Sequence, residues 1–262
     1  MWLYLVLLLI VVVSMNTLRH CPRSSSAPVF RHSGGDTLDV AIEYSPLSFY
    51  SYADTMGGFN YDVLRLLASR HGLKFKFHPV TSLSVALKGL KDKHFDIVAA
   101  QFPVTQENRK HYLFTEPLYI DRQVLVQRCD SARNHKIKSQ LDIAGCTLHI
   151  VAGSPMKQRI EGLSREIGDS IGIVEDAEYG PEQLFLLVAT GEIDFAVINE
   201  NIAKHLAKNH PNVDVSTAIS FSQFQALTLR KQSTALCDSL NRWIPEIKET
   251  AQYKKLHHRY FK

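Results

Sequence analysis

Several things are scarce in this 262-residue sequence, and each scarcity removes a class of function. There are four cysteines, Cys21, Cys129, Cys146 and Cys237, and no pair has the close spacing of zinc ligands. The 12 histidines are scattered, and His257 and His258 lie in a polar C-terminal stretch that reads as a solvated helix, so no metal is expected. No Lys/Arg stripe is present. Net charge is +4, and Arg19, Arg23 and Arg31 against Asp36 supply +2 of it, which leaves too little for nucleic-acid binding. There is no phosphate loop, no cofactor signature and no nucleophile–base pair, and "AGSP" around Ser154 is not a nucleophile elbow. A bilayer-spanning helix takes roughly 20 apolar residues. The unbroken run here, Trp2–Val13, is shorter and gives way to Ser14, Met15 and Asn16.

That run has the length of an export signal core, roughly 7–15 residues. No basic residue precedes it, while Arg19 and Arg23 follow. Three readings stay open: a leader that is removed, an uncleaved membrane anchor, and a lipid on Cys21, which follows Leu18, Arg19 and His20 rather than small residues. All three place the body outside the cytoplasmic membrane, in the periplasm. An exported chain permits a Cys129–Cys146 bridge, since both flank one connecting segment; buried free thiols are the simpler expectation. Residues 1–21 are the signal or anchor segment, and the Ser/Pro/Gly-rich "PRSSSAPVFRHSGGDT" (22–37) is a linker.

Hydrophobic content of 45% and charged content of 21% are those of a globular protein. "LDVAIEY" (38–44) alternates as a strand, and Gly57 and Gly58 open a helix over "FNYDVLRLLASRHG" in which Phe59, Val63, Leu66 and Arg70 recur at helical spacing. "KFKFHPV" is a strand, "SLSVALKGLKDK" a helix and "FDIVAA" a buried strand, so the order predicts an α/β unit with a mostly parallel sheet. After "RQVLVQR" (122–128) a second run follows: strand "CTLHIV", a helix from Gly153 and Ser154 to about Gly168, strand "SIGIVE", helix "PEQLFLLVATG" and strand "IDFAVI". The chain builds one lobe (38–124 plus 215–262) and crosses to a second (125–214) before returning. The stretches 87–101 and 185–199 superpose without gaps, which pairs Asp96 with Asp194 and Gln101 with Asn199. Ligands of open α/β sheets sit beyond the C-terminal strand ends, so the two amides are expected to border one crevice. The aspartates read as turn-fixing residues.

These elements carry a resemblance. "YSPLSF" (44–49), "GFNYDV" (58–63), "FDIVAA" (95–100), "TQENRK" (105–110), "FTEPLY" (114–119), "AGSP" (152–155) and "GEIDFAVINENIA" (191–203) resemble, in order and spacing, the motifs of family 3 extracellular solute-binding proteins. Within that family, "SFSQFQALTLRKQSTALCDSLNRWI" and "YKKLHHRYF" resemble the binding domain of membrane-bound lytic transglycosylase F. The resemblance implies a type II periplasmic-binding-protein fold, α/β and two-lobed, with mostly parallel sheets flanked by helices and crossing hinge strands. It implies a monomer that closes on a small carboxylate-bearing ligand, amino-acid-like or a cell-wall peptide fragment. The expected partners are an ABC permease, a sensor or a lytic transglycosylase. The chain stops at Lys262, so the muramidase half is expected to be missing and the protein to be no enzyme.

The residues expected at the ligand are Tyr44, Phe49, Gln101, Thr105, Arg109, Gly153, Ser154 and Asn199. Arg109 offers a planar bidentate cation for a carboxylate. The family places arginine three residues after the threonine, whereas Arg109 stands four after Thr105. Thr105 caps a helix, donates to the ligand, or does both. Tyr44 and Phe49 supply flat walls. Gly153 and Ser154 open a helix whose N–H groups attract anions, although Pro155 removes one donor. Asn199 stands where amino-acid-binding relatives carry an aspartate, which argues against a free α-ammonium at that point. A rival reading is a dehydratase on the same fold, with Glu43 or Glu200 as the acid/base.

Overall fold

The computed structural model describes residues 37–52, 55–129, 137–154 and 156–261. The readings placed on the leader, the linker and Cys21 fall outside the described residues. In chain order the strands are β1 (Leu38–Glu43), β2 (Tyr50–Tyr52), β3 (Thr55–Gly57), β4 (Phe75–Val80), β5 (Ile97–Ala99), β6 (Tyr112–Phe114), β7 (Tyr119–Asp121), β8 (Gln123–Arg128), β9 (Thr147–Val151), β10 (Gly172–Asp176), β11 (Phe195–Asn199), β12 (Val213–Asp214), β13 (Gln223–Gln225) and β14 (Thr228–Arg230). The helices are α1 (Phe59–His71), α2 (Leu83–Lys91), α3 (Gln106–His111), α4 (Met156–Ile167), α5 (Pro181–Thr190), α6 (Glu200–Ala207), α7 (Thr234–Lys248) and α8 (Ala251–Phe261).

Two five-stranded sheets result, ordered β4-β1-β5-β14-β6 and β10-β9-β11-β8-β12. In the first, β1 runs parallel to β4 and β5, and β14 adds antiparallel to β5 and β6. In the second, β9 runs parallel to β10 and β11, and β8 adds antiparallel to β11 and β12. The parallel trios come from the strand–helix–strand runs; each antiparallel partner is a segment arriving from the other half. The chain leaves the first sheet through β7 into β8 and returns through β13, which pairs antiparallel with β7. Central strands are buried on both faces, as in Val40, Ala41 and Ile42 of β1 and Val124, Leu125 and Val126 of β8, and this explains their near-continuous apolar sequence.

Helix boundaries follow local chemistry. Gly58 caps α1 at φ 123°, and a Cβ there would sit 2.3 Å from the Ser48 carbonyl oxygen, so only glycine fits. Thr105 caps α3, its Oγ1 accepting the Asn108 N–H at 3.1 Å. The helix expected from Gly153 begins instead at Met156, because Gly153 holds a left-handed φ of 72°. Phe59, fully buried, is ringed by Tyr119, Tyr253, His257, Tyr260 and Phe261 with centroids 4.8–6.2 Å away, which fastens α8 to α1 and to β7. Tyr260 also accepts the Gly58 N–H and donates to Asp62 at 2.7 Å. No described helix is long and apolar enough to cross a membrane. Cys129, Cys146 and Cys237 are free thiols, and no metal-binding group occurs among the described residues.

Candidate ligand-binding site

Parallel strands that end together leave a crevice beyond their carboxyl ends. β1 ends at Glu43, and the backbone N–H of Gln101, just past β5, donates to that carboxylate at 3.0 Å. β9, β10 and β11 end at Val151, Asp176 and Asn199 in the second sheet. Between the two groups of strand ends lies a cavity of about 330 Å³. Tyr44, Gln101, Gly153, Ser154 and Asn199, expected from the sequence, all line it.

The other three do not. Phe49 is 5% exposed and packs edge-on against Tyr44 and Tyr61, so it supports the Tyr44 ring from behind rather than facing solute. Thr105 is occupied with its cap. Arg109 is exposed, lies outside the lining and places its guanidinium over the Phe114 ring at 6.0 Å. The reason is the extra residue. One further step around a helix turns a side chain by roughly 100°, and the position three after Thr105 is held by Asn108, whose amide donates to the Pro103 carbonyl at 2.9 Å. The carboxylate clamp expected of Arg109 is therefore not at the cavity.

The second expected anion holder is also spent. The Gly153 N–H reaches Glu175 at 3.4 Å, the Ser154 N–H binds the Val151 carbonyl, and the Met156 N–H binds Ser154 Oγ at 3.2 Å. Lys157 pairs its ammonium with Glu175 as well. Past the neighbouring strand β10, the N–H of Gly180 at the start of α5 is taken by Gln183 Oε1 at 3.1 Å. The N–H groups of Gly153, Ser154, Met156 and Gly180 are thus already bonded within the protein.

What faces the space is acidic. Glu43, Asp176, Glu178 and Glu182 line it, and none of the lining residues is Lys, Arg or His. Burial pushes Glu43 up to about 7; the hydrogen bond from Gln101 opposes this and the charge of Asp121 adds to it. Behind the wall, burial pushes Asp121 up to about 6, although the N–H groups of Arg122 and Asn201 and the amide of Asn199 all donate to it. Asp121 thus ties the crossing strand to β11 and α6. Glu200 also lies outside the lining: burial acts to raise its carboxyl, but Arg122, bidentate at 2.8 and 2.9 Å, and Lys204 hold it below the usual range. Glu200 is a structural ion-pair member, and Glu43 is the one of the two acid/base candidates at the cavity.

Tyr179, 43% exposed, joins Tyr44, 45% exposed, as a second aromatic on the wall. Sequence reasoning passed over Asp176, Glu178, Tyr179 and Glu182. The signal that finds them is the rule already applied to Gln101 and Asn199: "DAEYGPE" is the polar tail just past the carboxyl end of a parallel strand.

Two sheets joined by crossing strands over a solvent-reaching crevice define a type II periplasmic-binding architecture. The chain belongs to the bacterial extracellular solute-binding proteins, family 3, whose model matches residues 37–262. It is 27% identical over 222 residues to membrane-bound lytic murein transglycosylase F of Desulfosudis oleivorans, an alignment covering 85% of this chain and 48% of that protein. The chain thus spans less than half the length of that relative. It is 27% identical over 228 residues to the L-cystine-binding protein TcyA of Bacillus subtilis, covering 86% and 80% respectively. Among solved structures, an ancestral arginine-binding protein bound to arginine aligns with TM-score 0.74 at 22% identity, covering 86% of this chain and 98% of the other. The ancestral amino-acid-binding protein AncCDT-1, a precursor of cyclohexadienyl dehydratase, aligns with TM-score 0.73 at 26% identity, covering 86% and 95%.

Proposed function

We propose that this protein is an extracytoplasmic binding protein that takes up a small polar solute between its lobes and presents it to an envelope partner. The observation that carries the reading is the cavity of about 330 Å³, walled by strand ends of both sheets, which the paired strands β7 and β13 join. The lobes are residues 38–124 with 215–262, and 125–214, turning about those crossing strands. Tyr44, Gln101 and Asn199 contact the solute. The amino-acid-binding relatives support an amino-acid-like molecule or cell-wall peptide fragment. An ABC permease, a sensor or a lytic transglycosylase is the receiving partner. The protein works as a monomer in the periplasm, tethered by its N-terminal segment or a lipid on Cys21.

A thermal-shift screen of amino acids, dipeptides and muropeptides tests this, because a solute that binds the native state raises its stability by mass action. At least one solute should raise the Tm and, in X-ray scattering, shrink the radius of gyration as the lobes close. A screen without a single shift would remove the reading. One observation favours a second one, a dehydratase: Glu43 titrates near neutrality inside the crevice. The other acidic side chains on the wall oppose the anionic cyclic acids such an enzyme takes, so binding without turnover is the stronger conclusion.

A further inference from the structure

The charge on the cavity wall is one-sided, and the solute has to answer it. Glu43 lines the space from the end of β1, and Asp176, Glu178 and Glu182 line it from the end of β10 and the segment that leads into α5. The cations nearby are committed elsewhere: Lys157 to Glu175, Arg122 to Glu200, and Arg109 over Phe114 outside the cavity. His149 lies 3.8 Å from Asp176 but is not part of the lining. The Arg109 guanidinium that would hold an anion lies outside the cavity, and the N–H groups of Gly153, Ser154, Met156 and Gly180 are already bonded. A carboxylate entering this space would meet like charge and no cationic side chain on the wall. That arrangement is unfavourable by kcal/mol in a partly desolvated site.

A cation meets the opposite situation. Two half-exposed tyrosines, Tyr44 from the first half and Tyr179 from the second, line the same space, and aromatic rings attract ammonium and guanidinium groups. Glu43 is buried at the end of β1, with a hydrogen bond from Gln101 and no counter-ion among the described residues; Asp121 and Tyr119 on the crossing strand are the titratable groups behind it. Its carboxyl group is therefore a desolvated acceptor awaiting positive charge.

We infer that this cleft selects its solute through a cationic group, an alkylammonium or guanidinium held by Glu43 between Tyr44 and Tyr179, and does not require an α-carboxylate. The inference rests on the solute-binding reading above and sharpens it to one chemical class. Elevation of the Glu43 carboxyl toward neutrality agrees with it, since a bound cation would expel that proton.

The test is calorimetry on the full chain at pH 7 with agmatine, L-arginine, L-alanine and glutarate. Agmatine has the guanidinium and ammonium without a carboxylate, and glutarate has carboxylates alone. Agmatine should bind with a Kd within tenfold of arginine, and glutarate should give no heat. Agmatine binding should also release a proton, so that its apparent enthalpy changes with the ionisation enthalpy of the buffer. Glu43→Gln should weaken agmatine at least tenfold and abolish that buffer dependence, with circular dichroism and Tm reporting that the variant is folded. Tyr179→Leu, at an exposed position, should weaken agmatine several-fold and provides a second variant. Binding of glutarate or alanine with agmatine a hundredfold weaker or silent overturns the cation inference and leaves the cleft as a solute site. Silence from all four probes, with no Tm shift across the wider solute screen, overturns the solute-binding reading itself.

Discussion

Replacing Glu43 by glutamine should stabilise the unliganded protein, by an amount that grows as the pH rises from about 4.5 to 7 and then levels off. The ordinary carboxyl value of 4.5 rises to about 7 in the folded protein, first because the group is buried and further because Asp121 is charged nearby. A folded-state value above the unfolded one means that the contribution to stability is complete below pH 4.5 and is lost as the pH rises through 7. At 1.36 kcal/mol per pH unit, the gap corresponds to about 3 kcal/mol lost by the wild type at pH 8 and above. Glutamine keeps an acceptor for the Gln101 N–H and never ionises, so it escapes that loss. Urea unfolding of both proteins from pH 4 to 9 is the assay. The curves should coincide near pH 4 and diverge to about 3 kcal/mol by pH 8, with the variant more stable and its Tm higher by about 5–10 °C. A difference independent of pH, or a wild type that gains on the variant above neutrality, would refute the claim that Glu43 is held in a low-dielectric wall without a counter-ion.

Other substitutions test other links. Arg109→Ala should leave solute affinity within about twofold by calorimetry, because the side chain is outside the cavity. Gly58→Ala should lower stability by about 3 kcal/mol in urea titration, since the backbone is held at φ 123° and the new Cβ meets Ser48 oxygen. Phe59→Ala should cost about 3–5 kcal/mol and loosen α8, which limited proteolysis would report. Glu200→Ala should cost about 1–3 kcal/mol at pH 7 by leaving Arg122 unpaired. Because the Glu200 carboxyl is held low, that contribution is present above the ordinary carboxylate range and disappears as the pH falls through its folded value.

Much of the fold was legible because the pattern and the burial agree. β1, β4 and α1 fall where alternation and helical spacing put them, and α1 ends at Gly72, a left-handed cap. The short strands β2, β3, β6, β7 and β13 were not legible as separate elements. Three-residue segments carry no periodicity, and distant partners define them, as when Tyr119–Asp121 pairs with Gln223–Gln225. At the site, the rule of strand ends pointed to Gln101 and Asn199, and Tyr44, Gly153 and Ser154, expected on other grounds, line the same cavity; residue type misled where it stood in for geometry. Arg109 has the chemistry of a ligand clamp, but the inserted residue turns it onto Phe114. Gly153 and Ser154 have the chemistry of an anion nest, but their N–H groups are already bonded. A one-dimensional string shows which donors exist and hides which are spent.

The position of β14 has a consequence for biogenesis. It is inserted between β5 and β6 of the first sheet, although it comes from Thr228–Arg230, and α8 then fastens onto Phe59 from the far end of the sequence. A nascent polypeptide that has not yet reached Thr228 holds a gap in its first sheet and an uncovered Phe59. Such long-range closure is slow and comes late. The emerging chain stays open for most of its synthesis and locks only once its tail arrives.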